Sequence, residues 1–294
     1  MNLSARDLKG LRDLSMNAAR EAGRIVQDAA GRGLRVERKR AGESLASQVV
    51  TEVDRLAEDC ILEVLGPSIR EFGFGVLTEE RKDDGSRFAA PAFWCIDPLD
   101  GTLPFAEGVA GYAVSIALVT KGGAPLLGAV FDPLRETLFD AIRGLGARID
   151  GTAYRLPEIE ERATALPVFS DRSSLDDPRY GEVLASLEKA FGEVLNTTGY
   201  GAALNACSIL ERGGGCYFKL PKQKVGGGSV WDFAASSCIF REAGGVASDV
   251  FGEDLALNPR GSLFMNGRGV LFASDPAVAR WICKNCTNRL DLRD

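Results

Sequence analysis

Apolar residues at helical spacing predict two helices near the start of the chain. Between residues 5 and about 30, one apolar face recurs at intervals of three and four residues. Its members are Leu8, Leu11, Leu14, Ala18, Ala22 and Ile25. A second stripe consists of Leu56, Cys60, Ile61 and Val64. The pair Gly66-Pro67 follows this stripe, so we expect the second helix to end there.

Short apolar runs predict strands in the next part of the chain. Residues 72–80 form a strand pattern that runs into acidic residues, and residues 92–96 form a fully apolar one. Residues 112–142 contain three strand-like runs separated by turn residues at 122–123 and 132–133. These runs predict an antiparallel meander.

The second half of the chain alternates strand-like and helix-like runs, which is typical of an α/β layer. A segment rich in turn residues precedes it. We therefore predict an N-terminal α+β domain over residues 1–155 and a C-terminal α/β domain over residues 156–294.

The net charge and the hydropathy of the chain limit the kinds of partner that we expect it to bind. The net charge is -6, no basic tract stands out, and no apolar run reaches the roughly 20 residues of a membrane span. We therefore expect neither a nucleic-acid polymer nor a membrane as partner. A small anionic ligand could bind only where the electrostatic potential is locally positive, and a bound metal ion would make it so. The charged N-terminus is unlike a signal peptide, and the seven cysteines have no framework spacing, so we expect a cytoplasmic protein with reduced thiols.

The sequence contains no histidine. This absence excludes Ser-His-Asp catalysis, Cys-His catalysis and every histidine-ligated zinc site. Any chemistry must use carboxylates, hydroxyls, lysines, thiols or hard cations.

The sequence WCIDPLDGTLPF, residues 94–105, carries the most specific candidate chemistry. Asp97 and Asp100 could share one hard cation and hold a second. Gly101 and Thr102 could present N–H groups to a phosphate at the start of a helix. A capped turn without ligands is the alternative interpretation of the same residues.

Two rival phosphatase patterns fail on this sequence. The letters DGTL resemble haloacid-dehalogenase phosphatases, but the position of their nucleophilic aspartate is Pro98. Residues 283–289 have the Cys-x5-Arg spacing of thiol phosphatases, but they lack glycine and leave no room for the helix that should follow. Cys283 and Cys286 form a lone CxxC pair, and zinc would need two further ligands, so their role stays open.

Further acidic residues lie at predicted element ends. Glu79 and Glu80 follow a strand, while Asp54 and Asp232 lie at helix starts. Each has a simple structural explanation when it is considered alone, as a solvated turn or an N-cap. Their common order along the chain is the more informative observation.

Together, four segments between about residue 45 and residue 275 resemble the inositol monophosphatase superfamily of magnesium-dependent, lithium-sensitive phosphatases. WCIDPLDGT fits the W-x-x-D-P-x-D-G-T motif, and VWDFAASSCIFREAGGVASD fits the W-D-x-A-A…E-A-G-G-x-x-x-D motif. TEE stands for the usual G-E-E, and VVTEVD for the V-T-x-x-D segment. The resemblance implies a layered αβαβα sandwich, in which an α+β half packs on an α/β half with metals at the junction.

The resemblance also implies a ligand set for two or three Mg²⁺ ions. Glu79, Asp97 and the carbonyl of Leu99 would hold the first ion. Asp97, Asp100 and Asp232 would hold the second. Mg²⁺ prefers oxygen ligands, and the ions would bring the acidic site close to neutrality, so that a dianionic phosphate could enter.

The catalytic roles implied by the resemblance fall on four positions. Asp54 and Glu79 would support a third, weaker ion and the attacking water. Thr102 would orient that water, with Asp54 behind it. The N–H groups of Gly101 and Thr102 would bind phosphate oxygens.

The substrate stays open between two classes. Leu103-Pro104 fits neither inositol monophosphatases nor 3'(2'),5'-bisphosphate nucleotidases, and Val225 stands where inositol enzymes place an acidic residue. The basic segment before the W-D motif resembles the nucleotidases and could meet a second phosphate through Lys219, Lys222 and Lys224; a solvated loop is the alternative. Gly201 and Ala202 correspond to a segment that faces the substrate.

We therefore expect a phosphomonoesterase that hydrolyses a small inositol or sugar monophosphate. The alternatives are a nucleotidase for adenosine 3',5'-bisphosphate and a non-catalytic metal-binding relative. Many members of the superfamily are dimers, so a homodimer is compatible with the resemblance.

Overall fold

The computed structural model describes residues 3–31, 45–157 and 165–289. Two long helices, α1 (Ala5–Gly31) and α2 (Leu45–Phe72), pack side by side against one face of a sheet. Helix α1 has its predicted face, with Leu11, Ala18 and Ala22 buried. None of the described helices is long and apolar enough to cross a membrane.

Helix α2 differs from its prediction in three respects. It begins at Leu45, so Asp54 lies within the helix and not at its start as predicted. Its buried face is Val53, Ala57, Ile61 and Leu65, whereas Leu56 is exposed. The helix also continues through Pro67 to Phe72. Proline removes one backbone hydrogen bond, but packing on the sheet continues past it, where the buried Ser68 accepts a hydrogen bond from Trp94 Nε1 at 3.0 Å.

The first sheet has seven strands in chain order. They are β1 (Gly75–Thr78), β2 (Ala92–Asp100), β3 (Ala113–Thr120), β4 (Pro125–Asp132), β5 (Thr137–Ile142), β6 (Gly146–Ile149) and β7 (Thr152–Tyr154). Among the described strands of this sheet, only β1 and β2 pair in parallel. The predicted meander is β3 to β5. The short helices α3 (Ser86–Ala89) and α4 (Thr102–Glu107) flank β2.

The second sheet has five strands in the order β11-β12-β10-β8-β9. Its strands are β8 (Leu166–Ser170), β9 (Val194–Thr198), β10 (Cys216–Lys219), β11 (Val246–Ser248) and β12 (Val270–Ala273). The helices of this half are α5 (Pro178–Phe191), α6 (Ala202–Glu211), α7 (Val230–Glu242) and α8 (Pro276–Arg289).

Three apolar clusters define the layers. One joins α1 and α2 to the first sheet, and another joins α5 and α8 to the second sheet. The third cluster lies between the sheets and contains the buried faces of α6 and α7, together with Phe93 and Phe272. Each fully buried large apolar side chain contributes about 1.5–3 kcal/mol. The order of layers is therefore αβαβα, as predicted, while the division into domains at residue 155 stays a prediction.

Candidate active site

The ends of β1 and β2 bring Glu79 and Asp97 together. The two strands are parallel, with Thr78 opposite Ile96, so Glu79 and Asp97, the residues that follow this pair, lie at the same edge of the sheet. Asp97 is 1% exposed, and its carboxyl group hydrogen-bonds to the carboxyl group of Glu79. Glu79 is solvent-accessible as a residue, yet burial of its carboxyl group and the charge of Asp232 raise its pKa to about 7.

A β-bulge brings Asp100 into the same cluster. Asp97 pairs with Ser115 and Asp100 with Ala113, so β2 holds one more residue than β3 over this interval. In a regular strand, residues three apart would point to opposite faces. The bulge lets both carboxyl groups act on Asp232, and burial together with this repulsion raises the pKa of each.

Asp100 also links the two halves of the chain. Its carboxylate accepts hydrogen bonds from Ala202 N at 3.1 Å and Ala203 N at 2.7 Å, at the first turn of α6. A Cβ atom at Gly201 would lie 2.5 Å from Asp100 Oδ2. Gly201 therefore permits close contact between this helix and Asp100.

Helix α7 supplies the fourth carboxyl group. Asp232 lies in the first turn, where its Oδ2 accepts a hydrogen bond from Ser229 N at 3.1 Å in a capping box. It also hydrogen-bonds to Asp97. Burial raises the pKa of Asp232 to about 6, although the Ser229 hydrogen bond and the charge of Lys219 act in the opposite direction.

Helix α2 brings Asp54 to the other side of Glu79. Asp54 is 7% exposed, and burial, followed by repulsion from Glu80 and Glu79, raises its pKa to about 8. One turn later, Glu58 is 2% exposed and contacts the turn that carries Glu79. We did not predict Glu58 from the sequence, although its i+4 spacing from Asp54 places it on the same helix face.

The turn after β2 has the geometry expected of the motif. Gly101 has φ 87°, and a Cβ atom there would lie 2.5 Å from the carbonyl oxygen of Gly111, so glycine is required. Thr102 begins α4 and is exposed, with its hydroxyl 3.4 Å from the carbonyl oxygen of Leu99. The next side chain, Leu103, is 56% exposed.

The three predicted substrate lysines differ in position. Lys219 ends β10 and forms an ion pair with Asp171, close enough to Asp232 to lower its pKa. Lys222 lies over Gly227, where a Cβ atom would be 2.7 Å from Lys222 Nζ, and Lys224 is exposed. Val225, in the same loop, is 63% exposed. Of the three lysines, only Lys219 lies at the end of a strand.

The donor set fits magnesium by its chemistry. The candidate side chains offer only oxygen atoms, and no described lysine or arginine forms an ion pair with any of the five carboxyl groups. These clustered carboxyl groups have raised pKa values and form no ion pair among the described residues, and Mg²⁺ would supply the missing positive charge. Within the described ranges, no three Asp, Glu or Cys side chains already have the spacing of a metal cage. The assignment of individual ligands therefore stays a proposal.

The C-terminal CxxC pair lies within a helix. Residues 283–289 belong to α8, with Cys283 half-buried and Cys286 buried. A helical backbone cannot form the phosphate-binding loop of a thiol phosphatase, so the structure agrees with our rejection of that pattern.

The layered αβαβα fold, with its carboxylate cluster where the two halves of the chain meet, is the architecture of inositol monophosphatase-type proteins. The chain belongs to the inositol monophosphatase family, whose family model matches residues 7–289. The resemblance predicted from the motifs and the predicted fold are both confirmed.

Relatives and solved structures agree with this family. The chain is 32% identical over 248 residues to the Nus factor SuhB of Haemophilus influenzae, covering 81% of this chain and 84% of the relative. It is similar in fold to inositol monophosphatase-II of Staphylococcus aureus, with a TM-score of 0.71, 22% identity, and coverage of 94% and 95%. A protein called SaIMPase-II has been solved with inositol monophosphate and with 2'AMP, at TM-scores of 0.71 and 0.72, covering 95% of this chain in each case and 94% and 95% of the solved chains.

Proposed function

We propose that this protein is a Mg²⁺-dependent phosphomonoesterase that hydrolyses a small phosphate ester, with an inositol or sugar monophosphate as the first candidate. The observation that supports it best is the convergence of Glu79, Asp97, Asp100 and Asp232 beside the glycine-led start of α4. Family membership supports the same class of reaction.

Each carboxyl group has a proposed place in the ligand set. Glu79, Asp97 and the Leu99 carbonyl would hold one ion, and Asp97, Asp100 and Asp232 a second. When bound, Mg²⁺ supplies Lewis acidity that activates water and neutralises charge on the leaving oxygen. Asp54, beside Glu79, would support a third ion.

The remaining groups act on water and phosphate. The Thr102 hydroxyl, exposed above the Leu99 carbonyl, would orient the attacking water, with Asp54 behind it. The N–H groups of Gly101 and Thr102 lie at the start of α4. The first N–H groups of a helix have no partner within the helix, and these two would bind phosphate oxygens.

Removal of metal gives the first prediction. In excess EDTA we expect no measurable hydrolysis of inositol 1-phosphate, and full recovery when Mg²⁺ is added back, because the oxygen-only donor set offers no other electrophile. Phosphate release measured in both conditions checks this. Unchanged turnover in EDTA contradicts the metal mechanism.

The second candidate function is a bisphosphate nucleotidase. It is favoured by the position of Lys219 next to Asp232, and the structural neighbour SaIMPase-II binds both inositol monophosphate and 2'AMP. The Lys219 ammonium, however, already has Asp171 as its partner. A paired ammonium is a weaker site for a second phosphate, which supports the monophosphate.

A comparison of two substrates separates these candidates. We expect a higher kcat/KM for inositol 1-phosphate than for adenosine 3',5'-bisphosphate. Lys219→Ala should leave the inositol 1-phosphate value within about twofold, because this substrate carries no second phosphate for the Lys219 ammonium to contact. Lys224→Ala, on the exposed part of the same loop, is the matched control.

The opposite outcome would support the nucleotidase. In that case the nucleotide is the better substrate. Lys219→Ala then lowers kcat/KM for the nucleotide by about five- to tenfold and does not lower it for inositol 1-phosphate. Hydrolysis of neither ester, nor of other small phosphate esters, would support the non-catalytic alternative. The curated relatives are named as Nus factors, so this outcome needs a direct test. The cytoplasmic location, the homodimer and the absence of a nucleic-acid partner stay predictions.

A further inference from the structure

A buried carboxylate outside the proposed ligand set holds the turn that carries Glu79. Glu58, on α2, is 2% exposed. It accepts hydrogen bonds from the hydroxyl of Thr78, from Glu80 N at 3.2 Å and from Arg81 Nε at 2.8 Å. The three donors belong to residues on both sides of Glu79, two through their side chains and one, Glu80, through its backbone N–H. One carboxylate therefore contacts the chain before and after Glu79.

The surroundings of Glu58 are already acidic. Glu58 adds a negative charge to an acidic region, where it contributes to the raised pKa values of Asp54, Glu79 and Glu80. A buried carboxylate in such a place is destabilising unless donors satisfy it. Here the donors come from the strand end and from Arg81, so the stabilising contacts of Glu58 are directed at this turn.

Repulsion between carboxyl groups would displace the turn that carries Glu79 unless other contacts held it. The charge of Asp232 repels Glu79, although the hydrogen bond between the carboxyl groups of Glu79 and Asp97 acts in the opposite direction. Without an opposing contact, this repulsion would favour movement of Glu79 away from the end of β2. The contacts of Glu58 with Thr78 and Glu80 oppose such movement because they join the turn to α2, the helix that also carries Asp54.

We infer that Glu58 is a positioning residue, which holds the turn 78–81 so that the carboxyl group of Glu79 is preorganised for magnesium. The inference rests on the proposed function, because it takes Glu79 as a ligand. Residues that support metal ligands typically change metal affinity by about 10- to 100-fold when they are removed.

The test measures Mg²⁺ binding to the substrate-free protein by calorimetry, with no phosphatase assay. Glu58→Ala should weaken Mg²⁺ binding by about 10- to 100-fold. It should also speed hydrogen exchange at the Glu80 amide, which loses its acceptor. Asp59→Asn is the matched control, because Asp59 is exposed and also contacts Arg81; its Mg²⁺ affinity should stay within about twofold of wild type.

A second pair of variants separates anchoring from charge and from misfolding. Thr78→Val removes the hydroxyl that contacts Glu58 and leaves every charge in place. It should weaken Mg²⁺ binding in the same direction, by about three- to tenfold, as expected for one hydrogen bond. Thr78→Ser keeps the hydroxyl and should bind Mg²⁺ as wild type does. This pair decides the question if Glu58→Ala does not fold.

Two results would overturn the inference. One is a lower melting temperature in Glu58→Ala or Thr78→Val with unchanged Mg²⁺ affinity, which means a structural role only. The other is a wild type that binds no Mg²⁺, which also overturns the proposed function. A wild type that binds Mg²⁺ but hydrolyses no phosphate ester contradicts the proposed function alone, because the calorimetric comparison remains decisive for Glu58.

Discussion

Asp97→Asn is expected to lower kcat/KM for the preferred phosphate ester by on the order of 10³-fold or more. Asp97 is the carboxyl group that contacts both Glu79 and Asp232, and it is the proposed ligand of two ions. Asparagine has nearly the same shape and can still accept the hydrogen bond that Leu99 N donates to Asp97 Oδ1 at 3.0 Å. The substitution therefore removes charge with little change in packing.

The control for this prediction neutralises a carboxylate elsewhere. Asp176→Asn changes an exposed residue on the loop before α5 and should leave kcat/KM unchanged. Steady-state kinetics at saturating Mg²⁺ measure both variants. Wild-type turnover in Asp97→Asn would refute the assignment of Asp97.

The melting temperature of the metal-free protein is the measurement that checks whether Asp97→Asn folds. Carboxyl groups with raised pKa values keep their protons longer in the folded chain than in the unfolded chain, where their pKa values are near 4. The free energy of unfolding should therefore fall as pH rises from about 4 through the folded pKa values of about 6 for Asp232, 7 for Glu79 and 8 for Asp54. In EDTA at pH 8, Asp97→Asn should melt at a higher temperature than wild type, because one repelling charge is gone.

Most of the fold could be predicted because strand and helix patterns are local. The meander β3 to β5 follows from its turns, and the apolar face of α1 follows from its spacing. Strands β6 and β7 were not predicted, because they have four and three residues and lie among glycines and turns. The end of α2 was wrong, because packing of Ser68 and its neighbours on β2 outweighs the local effect of Pro67.

The site could be predicted only as far as its motifs extend. Asp97, Asp100 and Gly101 lie in one motif, and a family resemblance connects them to Glu79 and Asp232. The roles of Glu58 and Asp171 depend on contacts between distant parts of the chain. Glu58 contacts Thr78, 20 residues away, and Asp171 pairs with Lys219. Similarly, the sequence treats Lys219, Lys222 and Lys224 as equivalent, whereas only the end of β10 brings one of them beside Asp232.

Thr102→Ala is expected to lower kcat by about 100-fold, the typical cost of losing the orientation of a reacting group. The KM for the phosphate ester should change little, because the N–H groups of Gly101 and Thr102 remain. Thr102 is exposed, and α4 keeps Gly101 as its N-cap. The melting temperature should therefore stay near that of wild type.

The split between kcat and KM identifies the role of the hydroxyl group. An interaction made only in the transition state lowers kcat and kcat/KM together, whereas one that binds substrate and transition state equally raises KM alone. Thr102→Ser keeps a hydroxyl above the Leu99 carbonyl and should recover most of kcat. A variant Thr102→Ala with normal kcat and a raised KM would mean that Thr102 only binds phosphate, and the water would then have to be oriented by Asp54 and Glu79 without it.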